Sequence, residues 1–293
     1  MLNRVIKHAD RKEEPKVSLI TVSESIGCRG SEIARFVGDE LKLEVYGDRR
    51  LEQEARRIGI QREVLETLDE KAPGLFSRLF SDKPQIYIDL LHAVIYGVAK
   101  SGQGVILGHG SQMLLRDFGC GLHVRIHASE SSRIENLIRE RGLSREGAEK
   151  LIRKTDNEQQ GFLQFAFHMD WNDPSLYDLV INRDKFSTSL AAQLIVDAAR
   201  SQEIKECSLT ALQSMERLSL SRRVEAAILE SEESRELFHR HMFQIEVPEK
   251  GVVQITGVAY TQDAKERLLK VAQGIPGVTE VRSDVSIIPP SFE

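Results

Sequence analysis

The sequence predicts an α/β protein: a doubly wound parallel sheet with helices on both faces, followed by a small α-β-β-α-β domain of the α+β class. Three observations carry this. Short apolar runs bounded by turn residues, such as Gly104-Val105-Ile106-Leu107-Gly108, alternate with segments of helical period. A strand, a glycine turn and an amphipathic helix follow one another between Val17 and Leu41. Beyond residue 219 the rhythm changes to one helix, two strands, a second helix and a last strand.

Taken in order, residues 1–15 form a polar arm. The first strand places Val17, Leu19, Ile20 and Val22 in a buried run, and Gly27 and Gly30 supply the turn. The helix after it repeats Ile33, Phe36, Val37 and Leu41 on one stripe. A second strand, 43–46, delivers Gly47-Asp48-Arg49-Arg50 to its C-terminal end, where open parallel sheets bind ligands. A charged helix over 51–70, a break at 71–74 and a short helix at 76–80 come next. Helix 86–101 carries Ile88, Leu91, Val94, Ile95 and Val98, and strand 104–108 precedes His109-Gly110-Ser111 and another helix start. Strand 122–127 leads to a helix capped by Ser129 and running to 141, then to one starting at Ser144 and running through 153. Strand 179–182 and helix 187–202, with Leu190, Leu194, Ile195 and Ala198 inward, complete a domain over 16–202. The polar stretch 203–219 reads as a linker. The domain over 220–290 holds helix 222–238, strands 243–247 and 252–258, helix 262–273 started by Thr261, and a strand over 278–288.

Composition narrows the function classes. The chain has 293 residues, 41% of them hydrophobic, which suits about two domains with proper cores. With 40 basic and 45 acidic side chains, nothing calls for nucleic acid. The start, MLNRVIKHADRKEEPK, lacks an apolar secretion-signal core, and no run approaches the roughly 20 apolar residues of a membrane span. Cys28, Cys120 and Cys207 are scattered and odd in number, so neither a zinc knuckle nor a disulfide framework is expected. These readings assign the chain to the cytoplasm.

The chemistry concentrates at the first turn. Backbone N–H groups and the positive end of a helix dipole converge there, which suits a phosphate. Against the pattern G-x-x-x-x-G-K-[ST], the last glycine is Gly30 and the first position is Ser25. Ser31 stands where the lysine belongs and Glu32 where the magnesium-binding hydroxyl belongs. Plainer readings stand beside each feature. The turn serves equally as a strand-to-helix connection, and Asp48 with Arg49 as an exposed ion pair. Arg133, Arg139 and Arg141 read as a solvated helix face, His109 as structural, and Trp171 with Phe162, Phe165 and Phe167 as packing. His127 and His168 lack metal-ligand spacing, and the last 70 residues hold no nucleophile–base pair.

Over residues 17–202 the chain resembles the cytidylate kinase-like family, relatives of the nucleoside monophosphate kinases in the P-loop fold. The resemblance rests on ITVSESIGCRGSEIA, VYGDRRL, VILGHGSQMLLRD, VRIHASESSRIENLI, LSREGAEKLIRKTD and DPSLYDLVINRDK in that order. The C-terminal domain resembles a BON domain, on VVQITGVAYTQDAKERLLKVAQGIPGVTEVRSDVSI. The first resemblance implies a P-loop kinase-like sheet and transfer of a phosphoryl group from ATP, with Mg2+, to a nucleoside monophosphate, by positioning and charge neutralisation. It implies a donor-phosphate loop of Ser25, Gly27, Arg29, Gly30, Ser31 and Glu32, with Arg29, Asp48 and Arg141 as the catalytic groups. Asp48, Arg49, His109, Arg133, Arg139 and Asp156 would bind the acceptor, and no protein residue is assigned to a metal. Departures from the family's pattern fall at Ser31, at His109, and at Asn157-Glu158-Gln159-Gln160 after Asp156, where cations are expected. They set a second reading beside the kinase: a sensor of nucleotide or phosphate, or a protein-interaction protein, without transfer chemistry. The BON resemblance implies a regulatory module for a small ligand, a lipid headgroup or a protein partner. The charged helix 51–70 is the candidate contact for a homo-oligomer.

Overall fold

A computed structural model describes residues 19–60, 84–231 and 243–288. Strands β1 (Leu19–Glu24), β2 (Val45–Tyr46), β3 (Gly104–Leu107), β4 (Leu122–His127) and β5 (Leu179–Asn182) form one sheet in the order β2-β3-β1-β4-β5. Every pairing in it is parallel. Strand β3 reads as a continuous apolar run because both faces of the sheet are covered, whereas β4 carries His123 and Arg125 at buried positions. On one face lie α1 (Gly30–Leu41) and α7 (Thr188–Ala199), with Ile20, Val22, Ile33, Val37, Val124 and Ile195 between them and the sheet. The other face carries α3 (Pro84–Ala99) and α4 (Ser111–Leu115), with Leu19, Ile95, Ile106 and Leu115 in the core. Helix α2 (Asp48–Arg57) follows β2, and α5 (Glu130–Arg141) and α6 (Arg145–Phe167) form an arm after β4. Hydroxyl caps set several of these starts: Ser129, Ser144 and Ser187 each accept a backbone N–H of the first turn.

Some expectations shift. Helix α6 runs on to Phe167 instead of ending near 153. On α7 the inward residues are Ala191, Ala192, Ile195, Val196 and Ala199, while Leu190 and Leu194 are exposed. Alanines let α7 pack closely on α1, and that contact selects the face. Phe36 of α1 is likewise exposed. Phe165 is exposed while Phe162 and Trp171 are buried.

The C-terminal unit consists of α8 (Leu209–Glu230), β6 (Phe243–Glu249), β7 (Val252–Ala259), α9 (Gln262–Gln273) and β8 (Glu280–Ile287). Its sheet, in the order β6-β7-β8, pairs β6 with β7 antiparallel and β7 with β8 parallel. Leu220, Val224 and Ile228 of α8 and Leu268 and Ala272 of α9 cover Ile245, Val253, Ile255 and Val285.

Residues 209–219 of the stretch read as a linker form the first half of α8. Ala211 and Met215 bury themselves in the core of the large domain, and α8 packs along α3. The cysteine expectation is also corrected. Cys120, just before β4, is joined to Cys207, just before α8, by a disulfide with a Cα–Cα distance of 4.8 Å. The partners lie 87 residues apart, so only the tertiary fold brings them together. Cys28 is free and buried. No helix among the described residues is long and apolar enough to cross a membrane. The arm 1–15, the later part of helix 51–70 and its oligomer contact, the break at 71–74, helix 76–80 and the end of helix 222–238 lie outside the described residues.

Candidate functional site

The C-terminal ends of β1, β3 and β4 meet where the strand order reverses, and the first loop crosses that crevice. Its shape follows from close approaches. Gly27 sits at φ 85°, and a Cβ there would lie 2.9 Å from the Arg133 carbonyl oxygen. Arg29 adopts φ 62° at the N-cap of α1, an uncommon conformation for a residue with a side chain. Gly30 opens α1, and a Cβ on it would come 2.7 Å from the Glu24 carboxyl.

That carboxyl belongs to the last residue of β1. Glu24 Oε2 accepts the backbone N–H of Gly30 at 2.6 Å, and Oε1 accepts the Ser31 hydroxyl at 3.1 Å. Donors that would cradle a phosphate are therefore already taken by a carboxyl group of the chain itself. Burial raises the Glu24 pKa; the hydrogen bonds from Gly30 and Ser31 and the charge of Arg125 oppose that rise.

The loop's cations are committed in the same way. Arg29 pairs with Glu32 and with Glu140, each at 2.7 Å. Glu32 also accepts the Thr188 hydroxyl at 3.1 Å. Arg133 is buried, makes a two-pronged pair with Asp156 at 2.8 and 2.7 Å, and donates Nε–H to the Ile26 carbonyl at 2.7 Å. Asn136 donates to the Gly27 carbonyl at 2.9 Å and is itself held by Arg139. Arg141 is exposed on the rim of a cavity of about 450 Å³ beside the loop, shared with Arg29, Glu32 and Glu140. Burial pushes the Cys28 thiol up to about 12, which leaves it protonated and unreactive.

On the β3 side, Asp48 and His109 come together although 61 residues apart. His109 Nε2 lies 2.8 Å from Asp48 Oδ1. Asp48 opens α2, and His109 adopts φ 59° between Gly108 and Gly110. Both line a cavity of about 310 Å³ with Glu24, Gln112, Leu163 and Trp171. No lysine or arginine is among its described lining residues. Arg49, expected here, is exposed and lines neither this cavity nor the one beside the loop.

Two residues of the site escape a sequence reading. Glu24 lies one position before the pattern that draws attention to the loop. Arg125 lies inside β4, aligned with Ser23 across the β1–β4 ladder. Its guanidinium donates to the Ser23 and Ser25 hydroxyls at 3.3 and 3.0 Å and stacks over Trp171, 3.7 Å from the ring centroid. The available signal is an arginine at a buried position of a central strand.

The donor set does not suit a P-loop magnesium site. Glu32 takes the position of the hydroxyl and is tied to Arg29 and Thr188, and no group of three metal-ligating side chains occurs among the described residues. A triphosphate would likewise have to displace Glu24 from the loop's donors.

Comparison with known proteins fits this architecture. Residues 19–185 match the model of the cytidylate kinase-like family, and residues 220–289 match the BON domain. Among solved structures, an uncharacterized protein from Eubacterium ventriosum is 20% identical, with a TM-score of 0.52, over 64% of this chain and 100% of its own. Shikimate kinase from Acinetobacter baumannii, in complex with shikimate, is 14% identical with a TM-score of 0.40 over 64% of this chain and 96% of its own. No curated protein matches the chain.

Proposed function

Since the chain belongs to the cytidylate kinase-like family, we propose that it is a nucleotide- or phosphate-sensing member whose phosphoryl transfer is suppressed by its own loop carboxylate. The observation that carries this reading is Glu24 Oε2 on the Gly30 N–H at 2.6 Å. Catalysis of phosphoryl transfer depends on cations and N–H donors aimed at developing negative charge. Here Ser31 replaces the lysine, Arg29 is neutralised by Glu32 and Glu140, and Arg133 by Asp156. ATP entering the loop meets a carboxylate, and Mg2+ finds no hydroxyl at Glu32. The BON module is the output or regulatory half, acting on a small ligand, a lipid headgroup or a protein in the cytoplasm.

The test is calorimetric titration with ATP, with and without Mg2+, together with a product assay over a panel of nucleoside monophosphates. Wild-type protein is expected to bind ATP weakly, without dependence on Mg2+, and to show no turnover. Glu24→Gln, which keeps an acceptor but removes the charge, is expected to tighten ATP binding by roughly tenfold or more, the scale of one charged contact. Turnover by wild-type protein, or micromolar Mg2+-dependent binding that Glu24→Gln leaves unchanged, overturns the reading.

A further inference from the structure

Trp171 lines two cavities of opposite character. The one lined by Glu24, Asp48 and His109 is acidic. The other, about 410 Å³, also has Trp171 in its wall and is lined by Ser25, Arg125, His127, Arg133, Asn172 and Tyr177, among others. Its one acidic lining residue, Asp156, is already held by Arg133 in a two-pronged pair.

Arg125 is the residue that needs explaining. It is 5% exposed, and among the described residues no carboxylate lies within 4.0 Å of its guanidinium. Its hydrogen-bond partners are two serine hydroxyls, and its flat face lies on Trp171. A buried cation is costly unless an opposite charge accompanies it. Neighbouring acids answer that requirement for Arg133 and for Arg29, but not for Arg125. Burial pulls its pKa down, and Asp156 opposes this only as a charge outside contact distance. The planar fork of a guanidinium suits an oxyanion. The Ser25 hydroxyl and the Asn172 amide stand beside the guanidinium and together suit the three oxygens of a phosphoryl group, while the Tyr177 hydroxyl is engaged as a donor to the Trp171 carbonyl at 2.8 Å.

We propose that this second cavity is a binding site for a phosphate group, free or on a small monoester, with Arg125 as its principal ligand. The site lies beside the glycine loop and shares Ser25 with it, but it is built on Arg125 and does not depend on that loop taking ATP. Trp171 is the single tryptophan of the chain and touches Arg125, so its fluorescence responds to a bound anion, and variants at Arg125 and Asn172, which line only this one of the two cavities, assign the response to it.

The experiment titrates the full-length protein with inorganic phosphate, and separately with malonate, at constant ionic strength. Phosphate is expected to give a saturable change in Trp171 emission at millimolar concentration or below. Asn172 is exposed at the mouth of the cavity, and Asn172→Asp places a negative charge there without disturbing the core. It is expected to weaken phosphate binding by roughly tenfold, and Arg125→Met to abolish the response. The Asn172 variant carries the test if Arg125→Met fails to fold. No saturable response to phosphate, equal affinity in Asn172→Asp, or saturation by malonate in place of phosphate each overturns the assignment. Equal affinity in that variant would move the anion to the glycine loop. Because neither probe contains a nucleotide, failure here leaves the Glu24 reading untouched, and failure of the ATP test leaves this one.

Discussion

Arg133 makes three hydrogen bonds through its guanidinium: the one to the Ile26 carbonyl fixes the loop from behind, and the two to Asp156 tie α5 to α6. A lysine has no fork to make the same set. Arg133→Lys is therefore expected to lower stability by about 2–3 kcal/mol, read as a fall in the midpoint of a urea melt. A residue acting only on a ligand would leave that midpoint in place. The same contrast explains what a sequence can say at this scale. Gly27 and Gly30 announce the turn because their backbone demands are local. Asp48 and His109 are each conspicuous, but their 2.8 Å contact depends on β2 and β3 being neighbours. Glu24 and Arg125 change the character of the site and were not singled out. The meaning of Arg125 comes from Ser23, which faces it across the β1–β4 ladder, and that of Glu24 from a loop that folds Gly30 and Ser31 back onto its carboxyl.

Helices α3 and α8 meet through a polar cluster inside an apolar contact. Asp89 is buried, 3.5 Å from Arg222 Nη1, which lies 2.6 Å from Glu225. Burial, and then the charge of Glu225, raise the Asp89 pKa from its ordinary 3.8 to about 7. The folded state thus holds a proton that the unfolded chain releases near pH 4, so this group's contribution to stability is complete below that pH. It is lost as pH rises through about 7, by a few kcal/mol in all. Glu225 shifts the same way, while burial lowers His92 to about 4 and gives the opposite slope. The informative quantity is accordingly the stability of wild type minus that of Asp89→Asn. It should fall between pH 4 and 7, and a flat difference would refute the assignment. Helix α3 was legible because Ile88, Leu91, Val94, Ile95 and Val98 repeat at helical spacing. Helix α8 was not, because its sides face different partners. Ala211 and Met215 enter one core and Leu220, Val224 and Ile228 another, so no single apolar stripe survives.

Across the whole molecule three ties join the halves. One is α8 itself. The second is Arg223, which donates to the Ile58 carbonyl at 2.7 Å and to the Pro276 carbonyl at 2.8 Å and so links the end of α2 to the turn before β8. The third is the Cys120–Cys207 bridge, which anchors the approach to α8. Closing a long loop restricts the unfolded chain, so Cys207→Ser should cost about 2–5 kcal/mol. Thermal melts with and without a reductant check this. Wild type should lose stability on reduction and Cys207→Ser should show no further change. The alternation of strands and helices was enough to name both folds, whereas the ties between them were beyond it. A linker and a shared helix can be equally polar in composition, and only packing tells them apart.

The shared helix also sets a timetable for biosynthesis. Helix α3 leaves the ribosome about a hundred residues before the Met215 side chain that seals its outer face. At roughly 5–20 residues per second, that face stays open for several seconds after its own sheet could have formed. The nascent large domain is therefore expected to expose that apolar face until the start of its C-terminal neighbour has been made, and premature termination near residue 202 would leave its core without Ala211 and Met215.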